Sequence, residues 1–326
     1  MRQSLKHAIP FWLLVAGIVC HGESLPSTRA LFEPPDGKTL LLIGQSLEDI
    51  QPYVATTKVV PAGFMEYTST KDGEGVDQTS NAGDGTQAPQ KLAESYTHTV
   101  LQIGFYLVDD GDAVIHGERN ASIDRMADWI KNSGRPVFLR IGYEFDNPDN
   151  HYDPKDYVTM FRYIVDRFRR RGVMNVAYVW HSEASRLSRP LGNWYPGDDY
   201  VDWVGISYFN QPQGYMQPAL DFAKQHGKPV MIAESSPLFV QAKFSNSWNL
   251  WFSPLFKFIS ANSIKALCYI NSDWDATDMF RNEKWGDARV QSGRETLARW
   301  IQETSKDRYL KSSPELFSVL GWDAKH

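Results

Sequence analysis

The sequence has little with which to cross-link itself, hold a metal or span a membrane. Only two cysteines, Cys20 and Cys268, stand among its 326 residues. Loss of a leader after Gly22 leaves Cys268 alone, so no intramolecular disulfide is expected and the fold must rest on its core. No Cys/His cluster, phosphate-binding loop, dinucleotide fingerprint or nucleophile elbow is present, and neither metal nor cofactor is expected. The run Asp109-Asp110-Gly111-Asp112 misses the spacing of a calcium loop and reads as a solvated turn. Basic residues are not in excess: 34 Lys and Arg against 39 Asp and Glu give a net charge of −5, which leaves no footprint for nucleic acid. The basic cluster from Arg167 to Arg171 reads as a solvated helix end rather than an anion site.

Long apolar runs are also missing. The most apolar stretch near the start, from Ile9 to Val19, falls short of the roughly 20 residues a membrane helix needs. With Arg2, Lys6 and His7 ahead of it and Gly22-Glu23-Ser24 behind, residues 1–22 read as a cleaved secretory signal, for a secreted or periplasmic protein. Gly17-Ile18-Val19 before Cys20 fit a lipoprotein signal poorly, which disfavours a lipid anchor there. Residues 23–326 show no compositional break and read as one domain, expected to be monomeric.

Aromatic residues are plentiful, with 11 Trp, 15 Tyr and 17 Phe. Core packing accounts for most, and flat apolar faces also suit stacking on sugar rings. Short runs rich in branched and aromatic residues recur through the chain. They are Thr39–Gln45, Lys58–Tyr67, Thr99–Leu107, Arg135–Phe145, Asn175–His181, Val201–Phe209, Lys228–Ser236 and Ile264–Asn271. Each reads as a buried strand of a parallel sheet. Between several lie helical patterns: after Ser46, over 88–96, 121–132 and 244–262, from Pro154 to the arginine cluster, and over 288–304. Alternation of this kind implies an α/β fold, a single (β/α)8 TIM barrel, with residues 307–326 as a C-terminal extension on its outside. Residues 69–87, rich in Gly, Asp, Ser and Thr, form a long loop that is either functional or disordered.

In such a barrel the C-terminal ends of all strands converge on one face. Glu144 ends the fourth strand and Glu234 the seventh. Two carboxylates across a shared space are what glycoside hydrolysis needs, one protonating the leaving oxygen while the other attacks or directs water. The plainer alternative is that each Glu pairs with an Arg, and Arg140 lies close to Glu144 in sequence. His181, with Trp180 beside it, ends the fifth strand and is a candidate for binding a sugar hydroxyl, or a structural residue. Trp194 precedes the sixth strand, Gln45 ends the first and Asn210 follows the sixth. These residues, with Arg140 and Tyr143, complete the candidate substrate-binding set.

An acid after strand four and a second after strand seven resemble the clan A retaining glycoside hydrolases. Trp194–Phe209, Leu42-Ile43-Gly44-Gln45 and Arg140-Ile141-Gly142-Tyr143-Glu144 resemble glycoside hydrolase family 26 within it. The resemblance implies Glu144 as acid/base, Glu234 as nucleophile, Tyr208 as a hydrogen-bond partner of the nucleophile and Trp274 as an aromatic platform under the sugar. Tyr143 stands where family 26 typically has His. Phe145-Asp146-Asn147-Pro148 also departs from the usual mannanase pattern. The expected activity is internal cleavage of a β-linked polysaccharide, with mannans, xylans, mixed-linkage glucans and algal galactans all open. A non-catalytic carbohydrate-binding barrel and a transglycosylase using the same residues are the alternatives. Arg186, Arg189 and Arg281 fit either a charged glycan or salt bridges.

Overall fold

A computed structural model describes residues 29–70, 76–185 and 190–323; the expected signal at residues 1–22, with Cys20, and Arg186 and Arg189 lie outside the described residues. Eight parallel strands close into a barrel: β1 (Thr39–Gly44), β2 (Gly63–Ser69), β3 (Val100–Tyr106), β4 (Val137–Ile141), β5 (Val176–Ser182), β6 (Trp203–Tyr208), β7 (Val230–Ser235) and β8 (Ala266–Ile270). Neighbours in sequence pair side by side, and β8 and β2 both pair with β1 to complete the circle.

Helices pack outside in chain order: α1 (Leu47–Thr57), α2 (Pro89–Ser95), α3 (Gly111–Ile115), α4 (Asn120–Ser133), α5 (Pro154–Arg170), α6 (Gln217–Gln225), α7 (Ser253–Ala261) and α8 (Arg294–Thr304). Their apolar faces explain their positions. Tyr157, Met160, Phe161, Ile164, Val165 and Phe168 make one buried stripe along α5, whose Asp153 cap accepts the N–H groups of Lys155 and Asp156. At its other end Arg167 and Arg171 pair with Asp124 and Asp128 of α4, so the basic cluster is a helix–helix contact as well as a helix end.

Two elements depart from expectation. Asp110 is buried, bonded to Thr70 and Arg119, and precedes α3, where a solvated turn is expected. Helix α6 carries only a short buried stripe, Ala219 and Ala223, too small to stand out as periodicity.

Strand alternation divides the core into two layers. Outward residues such as Leu41, Ile43, Leu139, Ile141, Trp180 and Tyr208 pack against the helices. Inward residues such as Leu42, Met65, Phe138, Val179, Trp203, Met231 and Cys268 fill the barrel. The C-terminal extension adds β9 (Tyr309–Leu310), parallel to β1 outside the circle, and α9 (Leu316–Val319). Its Leu316 and Leu320 join the inward layer, and Trp322 meets Phe32 edge-on at 6.0 Å while Phe32 meets Phe138 at 5.9 Å. Phe32, ahead of β1, and the tail together therefore plug one end of the barrel.

Candidate active site

The opposite end opens into a cleft of about 570 Å³ that holds both Glu144 and Glu234 on its walls. Glu144 lies beyond β4 on a tight turn in which Gly142 (φ 56°) and Glu144 (φ 49°) both take the left-handed conformation. At Gly142 a Cβ would come within 3.1 Å of Tyr157, so glycine suits both the turn and the packing. For Glu144 such a φ is costly and persists only where surroundings enforce it. They do so here. Asn150 Nδ2 donates to the carbonyls of Tyr143 and Glu144, and Phe145 stacks on Trp180 at 4.5 Å. Asp146 accepts from Ser182 Oγ at 2.6 Å and from the Glu183 N–H at 2.7 Å.

Glu234 reaches the interior through an irregularity. Ile206 pairs with Ile232 but Ser207 pairs with Glu234, so Ala233 is an extra residue on β7. Met231 and Ala233 point inward. Strict alternation would turn Glu234 toward the helices; the bulge turns it back over the barrel mouth. There it meets Arg140, whose guanidinium is wholly buried and bonds Glu234 Oε1. The guanidinium also lies 5.1 Å from the ring of Tyr67 and 4.9 Å from that of Tyr143. Gly104 makes room for it, since a Cβ there would lie 2.6 Å from Tyr67 Cδ1 and 2.7 Å from Arg140 Nη2.

Burial, and next the charge of Glu234, pushes the Glu144 carboxyl up to about 8, while hydrogen bonds from Ser207 and Asn147 pull against them. Burial and Glu234 hold the Tyr67 and Tyr143 phenols well above their usual range, so both stay protonated. Burial and then Arg140 hold His181 well below its usual range, so its imidazole is neutral.

Aromatic rings line both sides of the carboxylates. Trp274 donates from Nε1 to Ser236 Oγ and braces Phe280 and Trp285, which stack on each other at 4.9 Å. Across the cleft Tyr143 touches Tyr67 and Tyr106, with ring centres 5.3 and 6.3 Å apart. The long loop after β2 contributes Ser80, Ala82, Asp84 and Gln87 to the wall. Gln45 Nε2 donates to the Asp84 carbonyl, and the Met279 N–H to the Gly83 carbonyl ties this loop to the one after β8.

The cleft thus gathers Glu144, Glu234, Tyr143, Trp274 and Gln45 from the expected set. Others lie elsewhere. Tyr208 points outward, accepts from Gln213 Nε2 and packs on Trp251 and Phe258, so it does not meet Glu234. Its neighbour Ser207 is the inward residue. Trp180 likewise points outward, donating to the Trp194 carbonyl, and Trp194 packs against Phe145 and Tyr157. Asn210 is exposed and donates to the Leu238 carbonyl. Arg140 and His181 face inward beneath the cleft, without exposed surface. Arg140 pairs with Glu234 and not with Glu144. Arg281 pairs with Asp278. Tyr67, Tyr106, Phe209, Phe280 and Trp285 line the cleft without having been singled out in the sequence. For Tyr67 strand alternation was an available signal; for the loop aromatics none was.

A profile of glycosyl hydrolase family 26 matches residues 78–242. A β-1,3-xylanase from a Vibrio species is 33% identical over 319 residues, which cover 88% of this chain and 69% of that protein. The chain belongs to glycoside hydrolase family 26. A β-1,3-xylanase from an Alcaligenes species is 31% identical, covering 89% of this chain and 68% of that protein. Among solved structures, a family 26 β-mannanase from Bacteroides ovatus superposes with a TM-score of 0.63 at 15% identity, over 89% of this chain and 94% of its own. An endo-β-1,4-mannanase domain from a Bacillus species gives 0.60 at 17% identity, over 87% and 89%. At such identities the likeness is one of fold. This family 26 member is therefore a glycoside hydrolase on a (β/α)8 barrel, and no helix among its described residues is long and apolar enough to cross a membrane.

Proposed function

We propose that this protein cleaves β-1,3-xylan internally, with retention of configuration. The observation that carries the chemistry is one cleft holding two carboxylates in unlike surroundings, Glu144 pushed up to about 8 and Glu234 paired with a guanidinium. The two relatives that share about a third of its residues, both β-1,3-xylanases, support the substrate. In the first step a Glu234 oxygen attacks the anomeric carbon. The glycosidic C–O bond breaks, and the departing oxygen takes the proton of Glu144. The resulting glycosyl ester is opened by a water that gives its proton to Glu144, and Glu234 is released as a carboxylate. A polymeric substrate cannot enter a cell, which fits residues 1–22 acting as a secretory signal and the enzyme working outside the cytoplasm.

The test is incubation of the protein with β-1,3-xylan, β-1,4-xylan, mannan, mixed-linkage glucan and algal galactan, with products read by mass spectrometry and the first-formed anomer by NMR. Xylo-oligosaccharides of mixed length in the β configuration are expected from β-1,3-xylan. Release from another glycan alone would overturn the substrate, and α products would overturn the double displacement. Transfer of the intermediate to added sugar in preference to water would show a transglycosylase.

A further inference from the structure

Behind the cleft, the two glutamates are joined by a continuous chain of side chains. Arg140 Nη1 bonds Glu234 Oε1 and also lies 3.3 Å from His181 Nδ1. His181 Nε2 lies 3.0 Å from Ser207 Oγ, which reaches Glu144 Oε1 at 2.5 Å. Arg140, His181 and Ser207 have no exposed surface, so water does not compete for these contacts. Gly205, beside Ser207 on β6, leaves room for the imidazole, since a Cβ there would stand 3.0 Å from that of His181.

Donor chemistry gives this chain one direction. A guanidinium only donates, so Nδ1 of His181 must accept. The ring proton is then on Nε2 and is donated to Ser207 Oγ. The single hydroxyl proton of Ser207 is left for Glu144 Oε1. That oxygen is always an acceptor, so the proton of the neutral acid belongs on Oε2, whose protein contact is the weaker one from Asn147 Nδ2 at 3.3 Å.

We propose that Ser207 and His181 are positioning residues of the hydrolytic reaction. Together with Arg140 they form a one-way hydrogen-bond relay that fixes the Glu144 carboxyl and directs its acidic proton to Oε2. The proposal rests on the reading of Glu144 as acid/base. The groups facing Glu144 are Glu234 from β7, Glu183 beyond β5, Ser207 from β6 and Asn147 and Tyr143 from its own loop. Among them Ser207 makes the shorter hydrogen bond, and it favours the carboxylate that must accept a proton from water in the second step. His181 is faced by Arg140 from β4 and by Ser207 from β6.

The experiment compares the wild type with Ser207→Ala, Ser207→Thr and Glu144→Gln on β-1,3-xylan and on an aryl β-glycoside whose phenol departs without protonation. Losing one hydrogen bond to a charged group is expected to move the alkaline limb of kcat/KM on the polysaccharide upward by about one pH unit in Ser207→Ala. Bond cleavage in the aryl glycoside is expected to change much less, and Ser207→Thr to restore the limb. Nitrogen NMR of the wild-type histidines is expected to show His181 neutral with its proton on Nε2. A proton on Nδ1 overturns the relay. So does an unmoved limb in a folded Ser207→Ala enzyme whose Glu144→Gln counterpart is inactive on the polysaccharide. Full polysaccharide activity in Glu144→Gln instead removes the acid/base reading itself. Should Ser207→Ala fail to fold, the tautomer measured in the wild type still decides.

Discussion

Arg140 and Glu234 face each other inside the barrel mouth, one from β4 and the other from the bulge of β7, as an ion pair with 0% and 9% side-chain exposure. Removing one member of such a pair leaves an uncompensated charge, whereas replacing both does not. Arg140→Met is expected to lower the unfolding free energy by about 3–5 kcal/mol in urea titrations. Arg140→Met with Glu234→Leu should recover a substantial part of it. A loss in the double variant equal to the sum of the losses in Arg140→Met and Glu234→Leu would mean that the charges are not coupled.

Glu144 sets the alkaline behaviour. Its folded carboxyl, at about 8, lies above its unfolded value, so the fold favours the protonated form. Two outcomes follow with the same sign. Activity on the polysaccharide is expected to fall as pH rises through about 8, because the proton donor is lost. The folding stability contributed by the neutral acid is fully present below the unfolded carboxylate range and drains away between there and 8. Glu144→Gln cannot ionise, so its melting temperature should match wild type near pH 4 and exceed it by several degrees at pH 9. Parallel melting curves across that range would contradict the raised value.

Gly104 is the space in which the Arg140 guanidinium lies. Gly104→Ala brings a methyl group within 2.7 Å of Arg140 Nη2 and within 2.6 Å of Tyr67. Overpacking of this kind is expected to cost about 1–3 kcal/mol. Because the displaced group is the partner of Glu234, kcat should fall at least tenfold in a protein that still folds. An active Gly104→Ala enzyme would show that the pair tolerates displacement.

The stacked Phe280 and Trp285 line the cleft from the loop after β8 and pack against each other and Trp274. Trp285→Ala should therefore raise KM for the polysaccharide by roughly tenfold, the loss of one stacking contact, with kcat nearly unchanged. A kcat loss at constant KM would place Trp285 in the reacting subsite instead.

The barrel was legible because each strand is a short apolar run, and because Glu144 and Glu234 each end one. Strand alternation also says which neighbour points inward. Trp180 and His181 are adjacent on β5, as Ser207 and Tyr208 are on β6, so only one of each pair can face the interior. On β5 both His181 and Trp180 are candidates and on β6 only the aromatic Tyr208 is, yet the helix layer takes the aromatics and the interior takes the polar residues. Glu234 shows the limit of the rule. Alternation from Met231 sends it outward, and only the extra residue at Ala233, a feature of strand pairing and not of local sequence, turns it in. Arg140 sits four residues from Glu144 and opposite Glu234, a partnership that depends on barrel closure. The aromatic wall of Phe280 and Trp285 comes from a loop whose path is set by tertiary contacts such as Met279 to Gly83.

Cys268 belongs to the inward layer of β8 with no exposed surface, and burial holds its thiol above the usual range. A water-soluble alkylating reagent can reach that sulfur only when the staves of the barrel part. The speed at which the peptide bearing it gains mass is thus a built-in gauge of how often the catalytic scaffold breathes open, and a sugar chain lying across the mouth should slow it.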